Sequence, residues 1–97
     1  MNISKENYWL VKHCIENKKS DILRYCNTID DLPIKRNHFH PIQLLRIKER
    51  IKCNFLEYIS PNSLDRILTQ LCEENLLNSV EDKTNSSTLI NWYSYKK

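Results

Sequence analysis

Along the first part of the chain, Tyr8, Val11 and Ile15 recur at steps of three and four, with Trp9, Leu10 and Cys14 beside them. This spacing predicts an amphipathic helix over 5–17, opened by Ser4, whose hydroxyl suits the free N–H groups of a first turn. The polar run Asn17-Lys18-Lys19 closes it. Ser20 and Asp21 then favour a new start, and Ile22, Leu23, Tyr25 and Cys26 form a short second helix or a continuation of the first. Asn27 is the expected stop, because asparagine tolerates the left-handed C-terminal cap. Residues 5–27 thus read as one N-terminal helical segment. Asp30-Asp31, Pro33 and Pro41 break the pattern over 28–41, which reads as a loop whose Leu32-Pro33-Ile34 is extended.

The strongest periodicity follows. Leu44, Ile47, Ile51, Phe55 and Tyr58 predict a single amphipathic helix over 42–59, with Pro41 suited to its first turn. At about 100° per residue, Arg46 and Arg50 fall together away from this stripe, while Lys48 and Lys52 flank it and extend past Leu45 and Leu56. Ser60 and Pro61 then make a compact turn into a helix over 61–75, whose Leu64, Ile67, Leu68, Leu71 and Leu76 share a face. Asn75 takes the closing position usual for glycine. Beyond it the period becomes two. Residues 77–82 and 88–95 read as strands joined by a polar tip at 83–87, a β-hairpin rich at its end in aromatic residues. The fold class predicted is mainly α with a small C-terminal β-hairpin, as a single domain over 1–97.

Composition narrows the chemistry. The 97 residues include no glycine and no alanine. Phosphate-cradling loops and dinucleotide-binding turns need glycine for positive φ or close backbone approach, so those nucleotide sites are excluded. The net charge of +3 is uneven: residues 1–32 sum to zero, 33–55 to +5 and 56–97 to −2. A basic block in the middle attracts a polyanion at long range. Cys14, Cys26, Cys53 and Cys72 lack C-x-x-C spacing and read as reduced, buried thiols. His13-Cys14 and His38-Phe39-His40 have no partner cluster at zinc-ligand separation, so neither metal nor other cofactor is expected. No leader or membrane-spanning run is evident, which places the expected location inside the cell, in nucleus or cytoplasm.

The segment ISPNSLDRILTQLCEENLL at 59–77 resembles the turn and third helix of the winged-helix superfamily, which commonly run S-x-x-x-L-x-R-x-L-x-x-L-x-x-x-G-L. Asn75 stands where that pattern has glycine. The resemblance covers residues 55–95 and implies a winged-helix-like domain with its wing at 83–87. The stretch from Glu81 to Trp92 is also similar to the winged-helix modules in the small subunit of the ESCRT-II complex, which assemble proteins rather than read DNA. In DNA-reading members the third helix enters the major groove and the wing adds a cation beside the backbone. Carried over, the exposed positions are Asn62, Ser63, Asp65, Arg66, Thr69, Gln70 and Glu73, with Lys83 in the wing. Asp65, Glu73 and Glu74 repel phosphates there.

Nucleic-acid binding is therefore expected through Lys35, Arg36, Arg46, Lys48, Arg50 and Lys52 of the loop and middle helix, joined by Arg66 and Lys83. The alternative is a protein-interaction adaptor, a subunit of a complex or a homodimer, contacting an acidic or other protein surface through Trp9, Phe39, Tyr93 and Tyr95, since aromatic residues are enriched at interface hot spots. No enzyme activity is expected. His13 and Cys14 are neighbours in sequence, so on a helix they diverge by about 100°, and no third group orients them.

Overall fold

Ser4 opens α1 (Lys5–Asn17) by accepting the Asn7 N–H, as its sequence position predicts. Lys18 separates this helix from α2 (Lys19–Cys26), so the N-terminal segment is two helices. The structure, a computed structural model, describes residues 4–82 and 90–97. Asn27 does not adopt the left-handed conformation expected of it. Its φ of −80° and ψ of −2° stay near helical values, and its side-chain amide instead donates to the Leu23 carbonyl, satisfying an orphan acceptor of the last turn.

The middle helix is shorter than its periodicity predicts. α3 spans Pro41–Ile47, and a separate 3₁₀ turn covers Asn54–Tyr58. Between them the Cys53 N–H reaches the Lys48 carbonyl at 2.8 Å and the Lys52 N–H reaches Glu49 at 3.1 Å. This is a Schellman closure, with Lys52 in the left-handed region at φ 58°. The physical reason lies in burial. On a continuous helix Cys53 and Leu56 would sit about 240° and 180° round from Ile47, facing water. After the break, Ile51, Cys53, Leu56 and Ile59 are all buried with Ile47.

A lysine at positive φ costs on the order of 1 kcal/mol relative to glycine. Lys52→Gly is expected to stabilise the domain by about that amount, raising the urea midpoint with an unchanged slope. An unchanged or lower midpoint would contradict this assignment of strain.

Ser60 caps α4 (Pro61–Glu73) by accepting the Ser63 N–H at 3.2 Å, and Pro61 occupies its first turn. Asn75, at φ 67°, closes it with the Leu76 N–H bonded to Leu71, the same closure as at Lys52 and here the one expected. The chain then enters β1 (Leu77–Asp82) and returns as β2 (Ile90–Tyr95), antiparallel, with Leu77 opposite Tyr95 and Val80 opposite Trp92. The fold is thus mainly helical with a C-terminal hairpin. Phe39 adds one further antiparallel bridge on Tyr93, through backbone hydrogen bonds of 2.9 and 2.8 Å. The loop therefore joins the hairpin at Phe39.

The core gathers Leu64, Ile67, Leu68 and Leu71 of α4 against Val11, Ile15, Ile22, Leu44 and Ile47 of the other helices, closed on one side by Phe39, Leu77 and Tyr93. The cysteines are free, with Cys14, Cys26 and Cys53 buried and Cys72 half-buried. Burial pushes the Cys26 thiol up to about 12, so it stays protonated near neutral pH. Among the described residues no helix is long and apolar enough to cross a membrane.

Candidate functional site

The break at 48–52 disperses the basic block. Arg46 and Arg50 do share a face, but that face lies over the loop at 28–31 and is not uniformly positive. The Arg46 guanidinium holds both Asp31 carboxylate oxygens, at 2.9 and 3.0 Å. Arg50 lies 5.4 Å over the Tyr25 ring and donates to the Thr28 hydroxyl at 3.3 Å. Asp30 and Asp31 line the same hollow. Lys48 folds back, half-buried, to donate to the Leu45 carbonyl. Lys35 and Lys52 are exposed. Arg66 is exposed on α4 beside Asn62, Thr69, Gln70 and Glu73. Asp65 turns toward the hairpin, where it accepts from the Tyr93 hydroxyl and from the Asn91 amide. Lys83 lies outside the described residues.

A different set of cations converges. A cleft of about 620 Å³ runs between α2, the turn at 35–38 and the hairpin, lined by Lys19, Arg36, Lys96 and Lys97 together with Leu23, Asn37, His38, Asn78, Ser94 and Tyr95. None of these lining residues has a carboxylate side chain. The turn is built locally: Asn37 takes φ 64°, the His38 N–H reaches the Lys35 carbonyl, and the His38 ring Nδ1 lies 2.8 Å from the Arg36 carbonyl oxygen. The bridge from Phe39 to Tyr93 then fixes this turn beside β2. Along β2, Trp92 and Tyr93 are buried, and the following Ser94 and Tyr95 line the cleft.

Tyr95 anchors the wall. Its hydroxyl donates to the Ile15 carbonyl at 2.6 Å, and burial raises its pKa, so it remains a neutral phenol. The Lys19 ammonium lies 5.1 Å from the centre of the Tyr95 ring, a cation–π contact that points it across the cleft rather than toward an acid. Lys96 is held at the rim by its hydrogen bond to the Asn75 side-chain oxygen, at 3.1 Å. Cations without acidic counterparts raise the local potential, and that draws a polyanion.

Among the described residues predicted to bind nucleic acid, the cleft lining contains Arg36 alone. Lys19, Lys96 and Lys97 carry no regional signal, because they belong to segments whose charges sum to zero or below; only the packing of α2 against the hairpin brings them together.

The aromatic candidates separate as clearly. Phe39 and Tyr93 are 0% exposed and belong to the core, so they are not available to a partner. Trp9 is 61% exposed, with the Lys12 ammonium 5.1 Å from its ring, and Tyr95 lines the cleft. Tyr58, which its period places on the apolar stripe of the middle helix, is instead 84% exposed at the end of the 3₁₀ turn.

His40 and Gln43 are the buried polar pair that shapes the approach to α3. The His40 ring Nδ1 accepts the Gln43 N–H and the Gln43 side chain accepts the His40 N–H, a reciprocal cap. Gln43 also donates to the Pro33 carbonyl at 3.0 Å, tying the loop down. Burial holds the His40 imidazole at about 4, so it is neutral near pH 7.

Among the described residues no group of three histidine, cysteine or acidic side chains is placed to hold a metal ion. No family model, curated protein or solved structure matches the chain.

Proposed function

We propose that this chain is a non-enzymatic docking module, winged-helix-like in its C-terminal half, whose partner is a nucleic acid. The observation that carries the reading is the cleft of Lys19, Arg36, Lys96 and Lys97, whose lining side chains include no carboxylate. The architectural part is supported by the order of short helix, turn, longer helix and hairpin, and by the Phe39 bridge that gives the hairpin a third extended neighbour. The footprint differs from the basic middle helix. Arg46 and Arg50 are occupied by Asp31, Tyr25 and Thr28, so they contribute little to an incoming phosphate.

If four phosphates are neutralised, affinity for nucleic acid falls roughly 50- to 150-fold between about 50 and 200 mM salt. Fluorescence anisotropy with labelled DNA and RNA, single-stranded and duplex, measures this. Reversing Arg46 and Arg50 together is expected to change affinity less than about threefold, in line with the small net effect of exposed, internally paired charges. Absence of salt-sensitive binding to any of these nucleic acids overturns the reading.

The adaptor reading keeps one specific support, the exposed Trp9 beside Tyr8 and Lys12 on α1. Trp9→Ala separates the two readings, because it should leave nucleic-acid affinity unchanged while removing a protein partner.

A further inference from the structure

We infer that the cationic cleft is a single-strand site: it takes the sugar-phosphate backbone of an unpaired nucleic-acid strand and excludes the intact duplex. The proposal rests on the nucleic-acid reading above and adds to it the form of the ligand.

Shape is the first support. The charges line a concave space of about 620 Å³, within the range of sites that enclose small organic ligands. A duplex is a convex cylinder with its phosphates outside, and it meets a cleft of this size only at the rim. One strand can lower its phosphates between the two walls. Lys19 and Arg36 approach from the helix and turn side, Lys96 and Lys97 from the end of the hairpin, so a backbone threading the cleft is paired from both sides.

The second support is the wall between the charges. Leu23 and the Tyr95 ring give the cleft an apolar surface beside its cations. Single-strand sites combine a positive groove with aromatic or apolar surface for the bases, whereas a duplex keeps its bases stacked on one another. Asn37, Asn78 and Ser94 add polar groups that can meet sugar or base edges without demanding a particular sequence.

The third support is the poor electrostatic match elsewhere. A duplex reader of this architecture would use the outer face of α4, which offers Arg66 beside exposed Glu73 and Glu74. Glu74 is already engaged by the Lys12 ammonium at 3.2 Å and by the Tyr8 hydroxyl, which fixes a carboxylate at the end of that helix. The cationic cleft and the helix that would read a groove are therefore different parts of the molecule.

The test is anisotropy titration of the whole chain with labelled oligothymidylate and oligouridylate of about 12 nucleotides, a length within known single-strand site sizes, and with a DNA duplex of the same length. Single strands are expected to bind at least about tenfold tighter than duplex, with a salt loss of roughly 50-fold between about 50 and 200 mM. Lys19→Glu with Arg36→Glu should cost single-strand affinity at least tenfold, and circular dichroism should show that these exposed substitutions leave the fold intact. Duplex binding as tight as single-strand binding, with the same dependence on Lys19 and Arg36, overturns the single-strand assignment and leaves the nucleic-acid reading standing. Single-strand binding indifferent to the double variant overturns the cleft as the site. No salt-sensitive binding to either form removes both.

Discussion

Replacing Phe39 with alanine is expected to lower the unfolding free energy by about 3–5 kcal/mol, the usual cost of truncating a buried phenylalanine. The ring is fully enclosed, with its centre 6.2 Å from that of Tyr93 and 5.7 Å from that of Tyr95. Alanine leaves a void at the point where the loop, the hairpin and the helices meet, and those neighbours are themselves held by hydrogen bonds that limit collapse. Tyr93 is bonded to Phe39 through both backbone groups, and Tyr95 to Ile15 through its hydroxyl. A domain of this size holds only about 5–15 kcal/mol in total, so the variant should be partly unfolded at 37 °C. Urea unfolding followed by tryptophan fluorescence gives the value directly. Trp9→Ala in parallel should stay within about 0.5 kcal/mol, as surface substitutions do. If the two variants behaved alike, Phe39 would not be a core residue.

The second large effect is on pH dependence. His40 is 1% exposed, and its ring accepts a backbone N–H while neutral. Protonation would place a hydrogen on the accepting nitrogen, break the cap and bury a cation against the edge-on Trp92 ring, 4.7 Å away between centres. Its pKa accordingly falls from 6.5 to about 4 on folding. Between those two values the unfolded chain binds the extra proton, so stability rises with pH there and is lost as the pH drops from 6.5 toward 4. The shift corresponds to roughly 3 kcal/mol, most of it present at pH 7. Carboxylates also titrate in this window, so the informative quantity is a difference. His40→Asn keeps a capping acceptor and should lose about 3 kcal/mol less than the wild type between pH 7 and pH 4. Equal losses would show that His40 does not carry the dependence.

What was legible in the sequence is what is decided locally. Ser4, Ser60, Pro61 and Asn75 stand at the helix ends their chemistry predicts, because a cap needs only the adjacent turn. The hairpin strands emerge from their alternation for the same reason. The end of the middle helix was not legible, since no glycine, proline or asparagine lies between Lys48 and Cys53. Lysine takes the left-handed position there because Cys53, Leu56 and Ile59 gain burial across the core, a long-range balance that periodicity does not record. Phe39 gave no signal as a core residue, because one bridging residue has no period. The cleft is less visible still. Lys19, Arg36 and Lys96 come from three distant parts of the chain, and their convergence depends on Phe39 binding Tyr93 and Tyr95 reaching Ile15. The charge sums place the excess of positive residues in the middle of the chain and carry no signal for Lys19, Lys96 and Lys97 at the cleft.

The hydrogen bond from Tyr95 to Ile15 joins residues 80 positions apart, and this orders events during synthesis. α1 and α2 are made first, and their inner face packs on α3 and α4, but the Tyr95 contact waits until β2 has been translated. Until then the apolar faces of Val11, Ile15 and Ile22 lack their final cover, and such nascent surfaces are where chaperones bind and where misassembly starts. Completion of the core on the ribosome therefore waits for β2, and a chain truncated before Trp92 is expected to be cleaved faster in limited proteolysis, since it lacks the buried Tyr93.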